Sequence, residues 1–447
     1  MEAARANWTL KVQSFGKIRS AEIKFAPLLI FVGKNNTGKS YLASLMWAIL
    51  NSSEQILRTG GRHTQFGKDS PVWFGDALEA NTEEGDAKIE IKASRFASWY
   101  NSLLSKRKAD MLSRLFAWKG VHAESIRISF PRSASLSITR TPYIGDISDN
   151  QGGATFGTSK GPDGLEQFVF SAGGNMANLQ HHIANSLACS ILNPKLRYFG
   201  DHQATYIPAA RTGFMLALNQ IISGLFDGLQ ASDDSGRPSS LPLPLVRFLR
   251  LIIAPPTDEL RPTSSIADFL ESSIIGGRVK RVDTTVPSFE YIPKNHKKSI
   301  PLRASSSMIT ELAPFLFLLR NADLSAGVVF EEPEAHLHIS AQRCMARAIA
   351  RLVNLGIPVV LTTHSDTFLQ QLNLLMSLHS GDHKLTEKYG YESEDVINPS
   401  DARAYEFVTE DDMTDVRSAK LTKFGFVIPT INEVLEEIVE ESLELQA

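Results

Sequence analysis

Apolar and polar positions alternate from the start of the chain. Residues 8–15 and 21–25 carry the period-two pattern of strands, with Gly16-Lys17 as the turn between them. Residues 28–32 are a third, wholly apolar strand. After a polar loop, residues 41–50 (Tyr41, Leu42, Leu45, Met46, Trp47, Ile49, Leu50) continue as a helix. The pattern changes over 51–203. Polar, glycine-bearing stretches at 59–62 and 150–153 separate short alternating runs at 87–92, 125–130 and 134–139, which read as antiparallel strands. A helix is predicted over 95–118. Residues 245–276 are helical in pattern, broken at Pro255-Pro256 and Pro262, and 279–302 read as strands with a basic turn at 294–298. From residue 303 a helix (306–320), a strand (327–330), a helix (340–355) and a strand (359–363) alternate, which favours a parallel sheet. Residues 232–244 and 380–400 read as loops, and 431–445 as an acidic amphipathic helix.

The loop between the third strand and its helix is the most informative stretch. Gly33-Lys34-Asn35-Asn36-Thr37-Gly38-Lys39-Ser40 fits G-x-x-x-x-G-K-[ST], in the strand–loop–helix context that gives this motif its meaning. Gly33 and Gly38 permit backbone angles closed to other residues. The N–H groups of Asn35, Asn36 and Thr37 can then turn inward around a phosphate at the positive end of a helix. Lys39 would reach the β- and γ-phosphates of ATP, and the Ser40 hydroxyl would ligate Mg²⁺.

Composition narrows the setting. The 447 residues suffice for two or three domains, and 43% hydrophobic with 21% charged content is that of a folded protein. A net charge of -3 sets up no global field for nucleic acid, so any such contact must be local. The helix at 95–118 offers one place, with Lys106-Arg107-Lys108, Arg114 and Lys119 beside Trp99, Tyr100, Phe116 and Trp118; the other reading of it is a solvated charged face. The two cysteines, Cys189 and Cys344, are far apart and suit a reducing compartment. With no signal-peptide pattern at the start and no apolar run of bilayer length, the expectation is a cytoplasmic protein without a membrane partner.

The second half supplies partners for the phosphate loop. Val328-Val329-Phe330-Glu331-Glu332-Pro333-Glu334 ends an apolar strand in acids, where ligands sit in open α/β sheets. Glu331 can hold Mg²⁺ through water, and Glu332 can orient the attacking water or take its proton. Leu361-Thr362-Thr363-His364 ends the next strand, and His364 can contact the γ-phosphate. Ser305, Ser306 and Ser307 precede a helix, where an N-cap and an anion site are compatible.

Taken in order, these motifs resemble the ABC-type ATPase group. Phe330 to His338 and Tyr206-Ile207-Pro208-Ala209-Ala210-Arg211 are similar to segments of its RecF, SMC and OLD (overcoming lysogenisation defect) branch, which includes AAA family ATPases of antiphage systems. The resemblance covers 8–50, 204–214 and 300–445. It implies an α/β fold: an ABC-type ATPase head with a mixed central sheet, an antiparallel β subdomain and a helical insertion. The head would comprise 1–50 and 204–447, including a helical segment at 245–276, with 51–203 inserted. It also implies Glu331 as the metal-side acid, Glu332 as catalytic acid, His364 as the switch histidine and Ser305–Ser307 as the signature, although the usual following glycine is absent. His338 falls where many relatives carry a dimer-contact aspartate.

Implied partners are ATP, Mg²⁺ and a second copy in a head-to-tail dimer or larger homo-oligomer. About 80 residues follow His364, too few for the TOPRIM nuclease domain of OLD nucleases. The expected role is therefore an antiviral-defence ATPase, an oligomeric sensor and scaffold controlling a separately encoded effector, a nuclease, in response to a viral trigger protein. The alternative is a repair ATPase clamping duplex DNA.

Overall fold

The computed structural model describes residues 8–51, 87–131, 135–140, 154–160, 166–172, 192, 203–222, 241–256, 259–282, 287–296, 298–381, 388–429, 440–443 and 445. The predicted features at 59–62, 150–153 and Cys189, and most of those at 232–244 and 431–445, lie outside these residues.

In chain order the first elements are β1 (Thr9–Phe15), β2 (Ile18–Lys24), β3 (Leu28–Gly33), α1 (Lys39–Leu50), β4 (Ala87–Lys92), α2 (Ala93–Phe116), β5 (Ser125–Ser129), β6 (Ser135–Arg140), β7 (Ala154–Lys160) and β8 (Glu166–Ala172). Next come β9 (Thr205–Ile207), α3 (Arg211–Leu216), α4 (Leu243–Ile253), α5 (Ser264–Leu270), β10 (Gly277–Val282), β11 (Ser288–Pro293) and β12 (Ile300–Pro301). The last part holds α6 (Ser307–Asn321), β13 (Val328–Glu331), α7 (Ile339–Asn354), β14 (Val359–Thr363), α8 (Asp366–Ser377), β15 (Ala402–Glu410), β16 (Met413–Ser418), β17 (Lys420–Thr422) and β18 (Gly425–Val427).

These elements fall into two compact units, residues 1–26, 48–113 and 119–203 in the first, and 27–47, 114–118 and 204–447 in the second. In the first unit β5, β1 and β2 form antiparallel neighbours. Their inward residues (Leu10, Val12, Ile23, Ile126, Ile128) are buried, with Phe96, Tyr100 and Leu104 of α2 also in the core. Trp8 stacks on Phe25 and donates its indole N–H to Leu192 O at 2.9 Å. A second sheet runs β4-β6-β8-β7. β4 pairs antiparallel with β6 and β7 with β8, as expected of an antiparallel subdomain. β5 pairs with β1 rather than with β4 or β6, and β6 with β8 is a parallel pair. Alternation in sequence specifies a half-buried strand but not its neighbour.

The second unit holds the strand order β16-β15-β3-β14-β13-β9. β15, β3, β14, β13 and β9 are mutually parallel, and β16 runs antiparallel to β15. β3, β13 and β14 are buried at every position, as parallel strands covered on both faces must be. Helices α6, α7 and α8 supply much of the covering core, including Phe315, Leu319, Ile349, Leu352, Phe368 and Leu372.

Candidate functional site

Parallel alignment brings the ends of β3, β13 and β14 to one edge. Glu331 is in register with Thr362, and Thr363 with Val32. The loop after β3, the acids after β13 and the histidine after β14 therefore emerge together.

Within the loop, Gly33, Asn36 and Gly38 all have positive φ (154°, 62° and 94°). Gly33 has a second constraint. A Cβ there would lie 2.8 Å from Phe407 O and 3.0 Å from Phe407 Cβ, because β15 runs alongside in register. Thr37 is buried and donates its hydroxyl to Lys34 O at 2.9 Å, closing the loop, whereas Lys34, Asn35 and Asn36 are exposed. Lys39 is buried, and its Nζ donates to Gly33 O and Lys34 O, both at 2.7 Å. Burial pulls the Lys39 ammonium below its ordinary value, while Glu332, Glu334 and Glu331 pull the other way.

Burial raises the Glu331 carboxyl, with the Ser40 and Tyr206 hydroxyls opposing. Ala209 N donates to its Oε2 at 3.4 Å, but Oε1 is buried without a partner of full hydrogen-bond geometry. A carboxylate with one buried oxygen left bare, beside the Ser40 hydroxyl, is a hard-oxygen site that fits Mg²⁺, which takes one or two protein ligands and completes its shell with waters and phosphates. Among the described residues no group of three or more His, Cys, Asp or Glu is disposed to hold a metal alone. Tyr206 is buried, held well above the usual phenol value by desolvation and by Glu331, and shares a 3.1 Å hydrogen bond with Ser44.

Glu332 sits just past β13 with φ +43°, a left-handed conformation uncommon for a side-chain-bearing residue. Its N–H donates to Thr362 O at 3.0 Å. Its Oε1 is 3.7 Å from His364 Nδ1, and Glu334 Oε1 is 3.8 Å from the same nitrogen. The His364 side chain is 45% exposed, free to meet a ligand, whereas Glu334 is buried. Glu334 Oε1 accepts from Thr363 Oγ1 at 2.6 Å and His364 N at 3.2 Å.

The structure thus gathers Gly33, Asn35, Asn36, Thr37, Gly38, Lys39, Ser40, Glu331, Glu332 and His364 at one edge. Ser305 and Ser306 stand at the start of α6. Ser306 caps that helix by accepting from Ile309 N at 3.4 Å, and Ser305 donates to Pro301 O at 3.3 Å. His338, exposed, caps α7 through Ser340 N.

Three side chains with a place here were given no role by sequence reasoning. Glu334 stood in the acidic motif. Arg211 closed the Tyr206 segment. Glu311 had a readable signal, being one acid inside an otherwise apolar helix run, and such an acid needs a buried cation.

The fold is α/β, with a glycine loop between a buried parallel strand and a helix, and acids and a histidine at the same sheet edge. In agreement, residues 9–109 and 257–369, just under half of the chain, match the AAA ATPase domain family. No curated protein matches the chain. Among solved structures, it is similar to the Smc head bound to the C-winged helix domain of ScpA (13% identity, 92% of this chain and 98% of that chain covered, TM-score 0.37). Others are the Smc head domain with an extended coiled coil bound to the C-terminal domain of ScpA, derived from Pyrococcus furiosus (12%, 96% and 98%, 0.35), and the SMC head domain from Thermotoga maritima (10%, 92% and 98%, 0.31). These likenesses are distant.

Proposed function

We propose that the chain binds ATP with Mg²⁺ and hydrolyses it to ADP and phosphate. One observation carries this reading: Lys39 and Ser40 meet the carboxylates at the end of β13, beside the histidine after β14, at one sheet edge. The loop N–H groups cradle the phosphates, and Lys39 exchanges its two loop carbonyls for β- and γ-phosphate oxygens. Ser40 and Glu331 hold Mg²⁺, which when bound neutralises charge on the phosphates. Glu332 orients the attacking water and takes its proton, and His364 faces the γ-phosphate. Ser305 and Ser306 lie at the start of another helix, which suits the head-to-tail dimer of the group the sequence resembles. There the serines of one copy complete the site of the other, and ATP favours the closed dimer.

Two variants test the chemistry. Lys39→Ala should weaken ATP binding about 100-fold or more, read by nucleotide titration. Glu332→Gln should bind ATP, turn over about 100- to 1,000-fold more slowly and accumulate an ATP-bound oligomer in light scattering. Wild-type turnover in Glu332→Gln would overturn its assignment.

For biological setting, the resemblance supports a cytoplasmic antiviral-defence ATPase, an oligomeric sensor that restrains a separately encoded nuclease and releases it on a viral trigger. Its head would comprise 1–50 and 204–447, with 51–203 inserted. Co-purification with a neighbouring gene's product, without a response to DNA, supports this setting. A second reading, a RecF/SMC-like repair ATPase clamping duplex DNA, draws on the exposed Lys106, Arg114 and Lys119 of α2 and the turn after it. DNA-stimulated turnover with steep salt dependence would select it.

A further inference from the structure

Arg211 is among the largest fully buried side chains, and the chemistry above leaves it without a task. Its Nη1 donates to Pro208 O at 2.9 Å and Glu331 O at 2.7 Å, and its Nη2 donates to Glu332 O at 3.0 Å. The guanidinium lies 4.9 Å from the Phe330 ring centroid, and Nη2 is 2.8 Å from Glu311 Oε1. Glu311 is buried too, in the second turn of α6, and its Oε2 accepts from Thr212 N at 2.8 Å and from the Thr212 hydroxyl.

A buried ion pair is a weak device for stability, since apolar residues of similar volume serve as well. Apolar residues cannot grip two successive carbonyls, however. Those carbonyls belong to the turn that carries the metal-side acid and the catalytic acid, and Glu332 holds its uncommon φ of +43° there. Such a conformation persists only where its surroundings over-determine it. The other end of the pair belongs to α6, the helix capped by Ser306.

We propose that Arg211 is a positioning residue for hydrolysis and that Glu311 ties its grip to the placement of α6, so that the geometry of Glu332 depends on where α6 sits. This rests on the ATPase reading above. The link runs through one contiguous set of contacts: α6, Glu311, Arg211, the Glu331–Glu332 turn.

The test uses the full chain and measures ATP affinity, turnover and thermal midpoint for wild type, Arg211→Lys, Glu311→Gln, the double variant and Thr212→Val. Arg211→Lys and Glu311→Gln should each lower kcat about tenfold or more while ATP affinity stays within about threefold. The double variant should be within about twofold of the slower single variant, because both break one link. Thr212→Val loosens Glu311 but leaves both charges in place; it should show a smaller kcat loss of the same kind in a protein that stays folded. The proposal is overturned if kcat in Arg211→Lys and Thr212→Val stays at wild type, if the two single losses multiply in the double variant, or if affinity, midpoint and kcat fall together in Thr212→Val. A wild-type protein without ATP turnover overturns the underlying ATPase reading instead. That outcome is distinct because Glu332→Gln is then no slower than wild type.

Discussion

Glu334 keeps one carboxylate oxygen occupied, by Thr363 Oγ1 and His364 N, and the other buried and bare. Burial raises its carboxyl above the usual range, against the hydrogen bonds from Thr363 and His364. The sign for stability follows. Between the unfolded and the raised folded pKa, the native state holds more protons than the unfolded state, so this group's contribution falls as pH rises through that window. Above that window, where the carboxyl is ionised, Glu334 is therefore a net cost to the fold. Glu334→Gln keeps an acceptor for Thr363 and His364 and removes the charge. Its thermal midpoint at neutral pH should equal or exceed that of wild type. Turnover should fall about 10- to 100-fold, because Lys39 and His364 lose one of the acids they face. A variant with wild-type turnover would show that this acid has no part in hydrolysis.

Between elements, the first glycine of the phosphate loop serves two neighbours at once. Its positive φ shapes the loop, and its missing side chain lets β15 lie against β3 with Phe407 opposite. Gly33→Ala should therefore cost about 1–3 kcal/mol in denaturant unfolding, from overpacking against the Phe407 backbone. It should also weaken ATP binding. A loop requirement alone would impair binding and leave stability near wild type, so measuring both separates the two causes. The loop motif was readable from its spacing. The packing requirement was not, since the strand at 402–410 lies 369 or more positions after Gly33.

At the scale of the whole molecule, long-range charge pairs tie the 388–397 segment to α7. Asp395 is buried and takes Arg347 Nη2 at 2.7 Å, Arg351 Nε at 2.8 Å and Glu392 N at 2.9 Å. Arg351 also lies 4.0 Å from the centroid of the Phe269 ring. Burial alone would raise the Asp395 carboxyl, but the hydrogen bonds from Arg347 and Arg351 outweigh it and hold the group below its ordinary value. A depressed carboxyl contributes stability above its unfolded pKa and loses it as pH falls through the folded value. The wild-type denaturation midpoint should thus drop as pH falls below about 4, and Asp395→Asn should lack this component. Near neutral pH the same variant should lose about 3–5 kcal/mol, the usual effect of breaking a buried pair from one side. A flat difference between the two proteins across that range would remove Asp395 from the account. The polar composition of 380–400 suggests a plain loop, yet part of it is an anchored segment, because polarity in sequence does not distinguish a solvated acid from one paired inside.

Local signals sufficed for the phosphate loop, the strands before it, the alternating helices and strands after residue 303, and the acids and histidine at their ends. Each depends on periodicity or spacing within a few residues, which the backbone converts directly into shape. Tertiary structure alone decided that β5 joins β1, that β15 lies beside β3, that Arg211 grips the turn of Glu331 and Glu332, and that Glu311 answers it from α6. Those facts are pairings between distant segments, fixed by register and by the need of buried charges and carbonyls for partners. No window of neighbouring residues contains both halves of such a pair.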